Sequence, residues 1–223
     1  MSNLIRKCGY LVAVAVLCFA GSAFANTEKL TFTGGTYSGI VGPYDFHVNS
    51  STAITKLICD DYIDHIQANE SWNVNVLNVA QLDATATGTY FGSAVGLDDY
   101  KAAAWLAQQM FKPGYTDVTD RTNINYAIWA IFDDTLLTGL NSAQKVWYYQ
   151  AEGGTYKAIT YTGHEGDPLS NFANVFIYTW DGNKSTIKNQ YDSSRPQEFI
   201  GVPEARTSAL LGAGLVGLVV LML

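Results

Sequence analysis

Apolar and polar positions along this chain alternate first, then fall into a helical period, then alternate again. Thr31-Phe32-Thr33 alternates ahead of a turn at Gly34-Gly35. Tyr37 to Val41 and Tyr44 to Val48 read as short strands around Gly42-Pro43. Ile54 to Tyr62 reads as a further strand, and it carries Cys59. Trp72-Asn73-Val74-Asn75-Val76-Leu77 alternates throughout, the pattern of a half-buried strand.

Beyond Asp98 the period becomes helical. Asp98 is a candidate cap for a helix from Tyr100 to Phe111, with Tyr100, Ala103, Ala104, Ala107 and Phe111 on one face. Lys112-Pro113-Gly114 stops it. A second helix reads from Asn123 to Phe132, with Ile124, Ala127, Ile128 and Ile131 as its apolar stripe. Asn141 is placed to cap a third, Ser142 to Ala151, which Gly153-Gly154 ends. Strand patterning returns at Val175 to Trp180 and at Glu198 to Val202. Strands, then helices, then strands predict an α+β domain. The expected form is a mostly antiparallel sheet or barrel with an inserted block of about three helices. A signal peptide and a C-terminal transmembrane helix are expected to flank it.

The ends read as addresses. Arg6 and Lys7 precede an apolar run from Gly9 to Ala20, and Ala23-Phe24-Ala25 follows. This is the layout of a secretory signal peptide over residues 1–25, too short to span a membrane, with cleavage expected after Ala25 by signal peptidase. The folded part is then residues 26–201, the size of one domain. Cleavage removes Cys8 and Cys18, so Cys59 is the one cysteine left and no internal disulfide forms. It also removes Arg6 and Lys7, which leaves 11 basic residues against 20 acidic ones and a charge of −9. That charge excludes a basic face for nucleic acid. With 14 Tyr, 10 Phe and 5 Trp there is ample material for a core.

At the other end, Ala209 to Leu223 is unbroken apolar sequence. As a helix it would span roughly 22 Å, short of the ~30 Å hydrocarbon core of a bilayer. Gly212, Gly214 and Gly217 match a dinucleotide fingerprint letter for letter, but no strand precedes them and no βαβ unit follows. Just upstream stands Val202-Pro203-Glu204-Ala205. Over about 22 residues, 202–223, this segment resembles the PEP-CTERM sorting signal. In that signal a Pro-Glu-Pro motif precedes a Leu/Gly-rich helix and a basic tail. Ala205 replaces the second proline, and no Arg cluster follows Leu223. The resemblance implies an exosortase substrate held in the membrane through its C-terminal helix, and a surface protein linked to exopolysaccharide.

The body carries a second resemblance. Leu57-Ile58-Cys59-Asp60-Asp61-Tyr62, Ala104-Trp105-Leu106 and Asn125-Tyr126-Ala127-Ile128-Trp129 are similar to segments of the bacterial thioester domain. In that family a strand cysteine joins a glutamine carbonyl, and the product captures amines. The glutamine opens a Thr-Gln-x-Ala-Ile/Val-Trp helix. The resemblance places the cysteine at Cys59 and the Ala-Ile-Trp at Ala127, Ile128 and Trp129. Asn125 holds the glutamine's place and Ile124 the threonine's. Asparagine is one methylene shorter, and positioning errors near 1 Å matter in such closures. The expectation is a thioester-like pair, Cys59 and Asn125, without the covalent bond. The plainer reading of Cys59 is a small buried apolar residue.

Other chemistry is weakly signalled. A cysteine hydrolase needs a histidine beside its thiol, and His47, His65 and His164 are the candidates, with no local signature around Cys59. Acids come in pairs at Asp60-Asp61, Asp98-Asp99 and Asp133-Asp134, but adjacency does not make a glycosidase cleft. Asp98 and Asp99 suit a helix N-terminus. Asp181, Asn183, Ser185, Asn189 and Asp192 match a calcium loop only in part and read better as a turn, while residues 164–168 read as a polar loop. Trp147, Tyr148, Tyr149, Tyr156 and Tyr161 would stack on sugars if exposed, although core is their commoner fate. No metal or cofactor is expected. The sequence reads as an exported, membrane-tethered, non-enzymatic surface protein with a structural or adhesive role. A covalent adhesin through Cys59 and a glycan-binding module are the alternatives.

Overall fold

The computed structural model describes residues 26–34, 41–63, 65–115, 117–188 and 195–202. The expected signal peptide at 1–25 lies outside the described residues, as do Pro203, Glu204 and the apolar segment to 223. Among the described residues no helix is long and apolar enough to cross a membrane.

Six antiparallel strands close into a barrel. In chain order they are β1 (Asn26–Gly34), β2 (Tyr44–Val48), β3 (Ile54–Cys59), β4 (Ser71–Asn78), β7 (Phe176–Trp180) and β8 (Phe199–Gly201). Around the barrel the order is β1-β2-β3-β8-β7-β4, and β4 pairs with β1 to close it. Closure leaves no unpaired sheet edge. A separate hairpin, β5 (Gly154–Tyr156) with β6 (Ile159–Tyr161), stands outside the barrel.

Alternation sorts each strand between two cores. Leu30, Phe32, Phe46, Leu57, Cys59, Trp72, Val74 and Phe199 cluster in the barrel. Phe46 and Phe199 meet edge to face with ring centres 4.8 Å apart. The intervening residues Ile58, Ile177 and Ile200 belong to a second core, formed with the helices. Those helices are α1 (Leu97–Met110), α2 (Val118–Phe132) and α3 (Ser142–Glu152), with a single helical turn, Gly92–Val95, ahead of α1. The α+β expectation and the antiparallel barrel are both met.

Several boundaries differ from the sequence reading. β3 ends at Cys59 and does not run to Tyr62, because Asp60 and Asp61 leave the ladder. Asp98 is not the cap of α1. Gly96 holds that position, and Asp98 and Asp99 lie in the first turn. α1 also buries far more than one stripe, since Ala102, Leu106 and Met110 are as inaccessible as Tyr100. α2 starts five residues before Asn123, where Asp117 accepts from Asp120 N at 2.8 Å. α3 matches, and its capping box is complete: Asn141 accepts from Gln144 N while Gln144 Oε1 accepts from Asn141 N. The β5–β6 hairpin is absent from the sequence reading. Residues 37–40 of the strand expected before Gly42 lie outside the described residues.

Candidate functional site

Cys59 is the last residue of β3 and faces the barrel interior, fully buried. Asn125 reaches it from α2. Its Nδ2 donates to the Cys59 carbonyl oxygen at 3.0 Å, and its Oδ1 accepts from Gly42 N at 2.8 Å. The carboxamide is therefore engaged on both sides by backbone, and the thiol points elsewhere. Cys59 Sγ donates to Asp61 O at 2.8 Å. Gln197 Nε2 donates to that same oxygen at 3.1 Å. The two residues matched to the thioester pair are thus neighbours, and a second carboxamide, Gln197, converges on the thiol's own acceptor.

Burial pushes the Cys59 thiol well above its ordinary range, and the nearby Asp60 and Asp61 charges push it further. The Asp61 hydrogen bond and the Trp129 indole N–H act in the opposite direction. No histidine is among the groups acting on the thiol, although His65 lines a cavity next to Asp61. The arrangement does not make the activated thiolate a cysteine hydrolase needs.

Asp60 points the other way, to a buried carboxyl pair that the sequence does not announce. Neither Asp60 oxygen has an N–H or O–H donor among the described residues. Its partner is the carboxyl group of Glu198, which is 2% exposed. Two neighbouring buried carboxyl groups disfavour each other's ionisation. Tyr100 Oη donates to Glu198 Oε1 at 2.5 Å, and Tyr90 N donates to Oε2 at 2.7 Å. Asp60 is raised well above the carboxylate range by burial, then by Glu198 and Asp61. Glu198 is raised by burial and partly restored by the Tyr100 and Thr179 hydroxyls, Asp60 and Arg195. The other acid pairs play different roles. Asp98 holds Lys101 at 3.2 Å, and Asp133 caps the turn after α2 through Thr135 N at 3.1 Å.

Trp129 is 3% exposed and seals this region from solvent, with Tyr62 and Tyr126 rings 5.1 and 4.9 Å away. Tyr62 and the exposed Ile63 form a ridge between two cavities of about 430 and 420 Å³, both walled by Asp61 and Trp129.

A third cavity, of about 440 Å³, lies away from the thiol between α1, α3 and β6. Trp105, Tyr115, Trp147, Tyr161 and His164 line it. Trp147, Tyr148, Tyr149, Tyr156 and Tyr161 are all half-buried, and Trp147 and Tyr148 pack against the helical core. Trp147, Tyr148 and Tyr149 lie on α3, and Tyr156 and Tyr161 on the hairpin. The polar loop at 164–168 is built: His164 Nδ1 and Asp167 Oδ2 are 2.9 Å apart, and the imidazole stacks on Trp105 at 4.1 Å and 14°.

The calcium-loop residues serve a turn. Asp181 accepts from Asn183 N at 2.8 Å and Asn183 from Ser185 N at 3.1 Å, while Asn189 and Asp192 lie outside the described residues. Among the described residues no group of three or more His, Cys, Asp or Glu side chains is placed to hold a metal ion. Of the sorting motif only Val202 is described, packed half-buried against the helical core. No protein-family model matches this chain, and neither a curated protein nor a solved structure matches it.

Proposed function

We propose that this chain is an exported surface protein that works by non-covalent contact and not by catalysis. Its C-terminal segment is recognised by exosortase, and its folded domain is a thioester-like scaffold in a structural or adhesive role beside exopolysaccharide. Residues 1–25 and 202–223 support export and transient anchoring in the membrane. The observation that carries the non-covalent reading is the use of the Asn125 carboxamide. Both of its ends are taken by backbone groups, Gly42 N and Cys59 O, so it ties the barrel to α2.

A second reading, a covalent adhesin through Cys59, draws on one specific observation. Gln197 and Cys59 donate to a single oxygen, Asp61 O, so a glutamine carboxamide lies beside the thiol. Closure there would form an Sγ–Cδ bond and break Cδ–Nε2. Ammonia would leave with the thiol proton.

Intact-mass measurement of the secreted protein separates the two. The non-covalent reading expects the unmodified mass and one thiol that iodoacetamide labels only after denaturation. A mass lower by one ammonia, with denatured Cys59 refractory to labelling, would establish the covalent reading instead. Peptide mapping then shows whether Asn125 or Gln197 supplied the carbonyl. Fractionation of cells with and without exosortase tests the sorting reading, which fails if the protein's location is the same in both.

A further inference from the structure

We propose that the cavity between α1, α3 and the β5–β6 hairpin binds a neutral saccharide. Its volume, about 440 Å³, falls within the range of roughly 300–1,000 Å³ usual for small-ligand sites. The proposal deepens the exopolysaccharide association above and rests on it only for where the ligand is met.

The His164 imidazole covers one face of Trp105, and the other rings are set at angles around the cavity. Trp147 stands 5.2 Å from Tyr115 at 81° and 6.1 Å from Trp105 at 48°. All three are half-buried, each with one side on the helical core. Aromatic faces held in this way suit the C–H faces of sugar rings, which are flat, weakly polar and bordered by hydroxyls. Polar groups for those hydroxyls are at hand. Gln150 on α3 lines the cavity, and its carboxamide makes no hydrogen bond to any described residue. Tyr161 Oη is equally uncommitted.

The charge of the lining selects among glycans. Among the described residues no Asp, Glu, Lys or Arg lines the cavity. His164 is held by Asp167, whose carboxyl this contact lowers below its ordinary range. With no Lys or Arg among the described lining residues and a net charge of −7 over the chain, an anionic polymer is disfavoured.

The far wall is rigidly placed. At the base of the hairpin Gly163 has φ +74°, and a Cβ there would lie 2.6 Å from Gly153 N and 2.7 Å from Glu152 O. His164 N donates to Ala151 O at 2.7 Å. Backbone thus packs on backbone where the hairpin leaves α3, and the position of Tyr161 and His164 relative to Trp147 is set before any ligand arrives.

The test uses the full chain in a detergent without a sugar headgroup. The probes are cellohexaose, laminarihexaose, maltohexaose and mannohexaose, with an alginate oligomer as the anionic comparison. Titration is followed by tryptophan fluorescence and calorimetry. The expected result is saturable binding of at least one neutral oligosaccharide, weakened at least about tenfold by Gln150→Ala and by Trp147→Ala. Gln150 bonds to no described residue, so Q150A leaves the fold intact and decides the matter if W147A misfolds. The proposal is overturned if none of the four binds at millimolar concentration, if binding survives both substitutions, or if only alginate binds and salt abolishes it. Binding is measured on purified protein, so a negative result leaves the export and anchoring reading standing.

Discussion

Asn125 Nδ2 lies 3.0 Å from the carbonyl oxygen of Cys59, 66 residues earlier in the chain. The bond joins the last residue of a barrel strand to the middle of α2, and the same carboxamide reaches back to Gly42. One side chain thus satisfies two buried backbone groups that no ladder or helix supplies.

Asn125→Ala leaves Gly42 N and Cys59 O without that partner. Each unsatisfied buried group costs about 1–3 kcal/mol, so the pair should cost about 2–6 kcal/mol. For a domain of this size the melting temperature should fall by roughly 10 °C. Thermal unfolding followed by circular dichroism measures it. A change of a degree or two would mean that water replaces the amide, and that the residue is not a structural tie.

Stability should decline as pH rises from about 4 through neutrality. Asp60 and Glu198 are raised, and so is Glu152, by burial and its contact with Glu165. Asp99 is pushed up to about 6 by burial and Glu165. A carboxyl raised in the folded state binds more protons there than in the unfolded chain. Its contribution is complete below the unfolded value, near 4, and is lost as pH passes the folded value. Asp83, lowered to about 2 by its Thr87 and Thr85 hydrogen bonds, and Asp167 act in the opposite sense, so stability also falls at strongly acid pH. Denaturant melts across pH 4–9 test this. Asp60→Asn, whose amide would donate to Glu198, should flatten the alkaline side of the curve. An unchanged slope in D60N would place the pH dependence at Glu152 and Asp99.

Gly163→Ala should be severe for so small a change. Its φ of +74° disfavours a side chain, and the new methyl meets backbone atoms that cannot rotate away. A loss of at least about 2 kcal/mol is expected, together with loss of saccharide binding at the groove. Gly201→Ala differs in kind, because its Cβ would meet the Tyr178 ring and a Leu57 methyl, side chains of the barrel core and not backbone. If G163A melts like the parent protein, the hairpin base is looser than its contacts imply.

N-terminal sequencing of the secreted protein should read Asn-Thr-Glu-Lys from Asn26, the first residue of β1. A chain truncated after Val202 should remain folded and stop partitioning with membranes. Aggregation of the truncated chain would assign the apolar segment to the core, and continued membrane partitioning would put the anchor elsewhere.

The sequence by itself determined what depends on neighbours a few residues apart. Asn141 and Gln144 announce the start of α3 because a capping box is closed within one turn. Trp72 to Leu77 announces β4 because a barrel wall has two faces and the side chains alternate between them. Nothing in the spacing of Cys59 and Asn125, so far apart in the chain, predicts their contact. Tertiary structure alone decided the rest. Lys101 and Gln109 are polar residues of α1, yet both are buried, one reaching out to Asp98 and the other bonding Trp105 O within the helix. Asp60 and Glu198 meet because β3 and β8 are neighbours in the barrel, a pairing made across 138 residues of chain. Trp147 and Tyr161 come to line one groove only because α1, α3 and the hairpin pack together. Periodicity records which faces are apolar. Whether a face is then covered depends on closing long loops of chain, and that is settled only when distant elements pack.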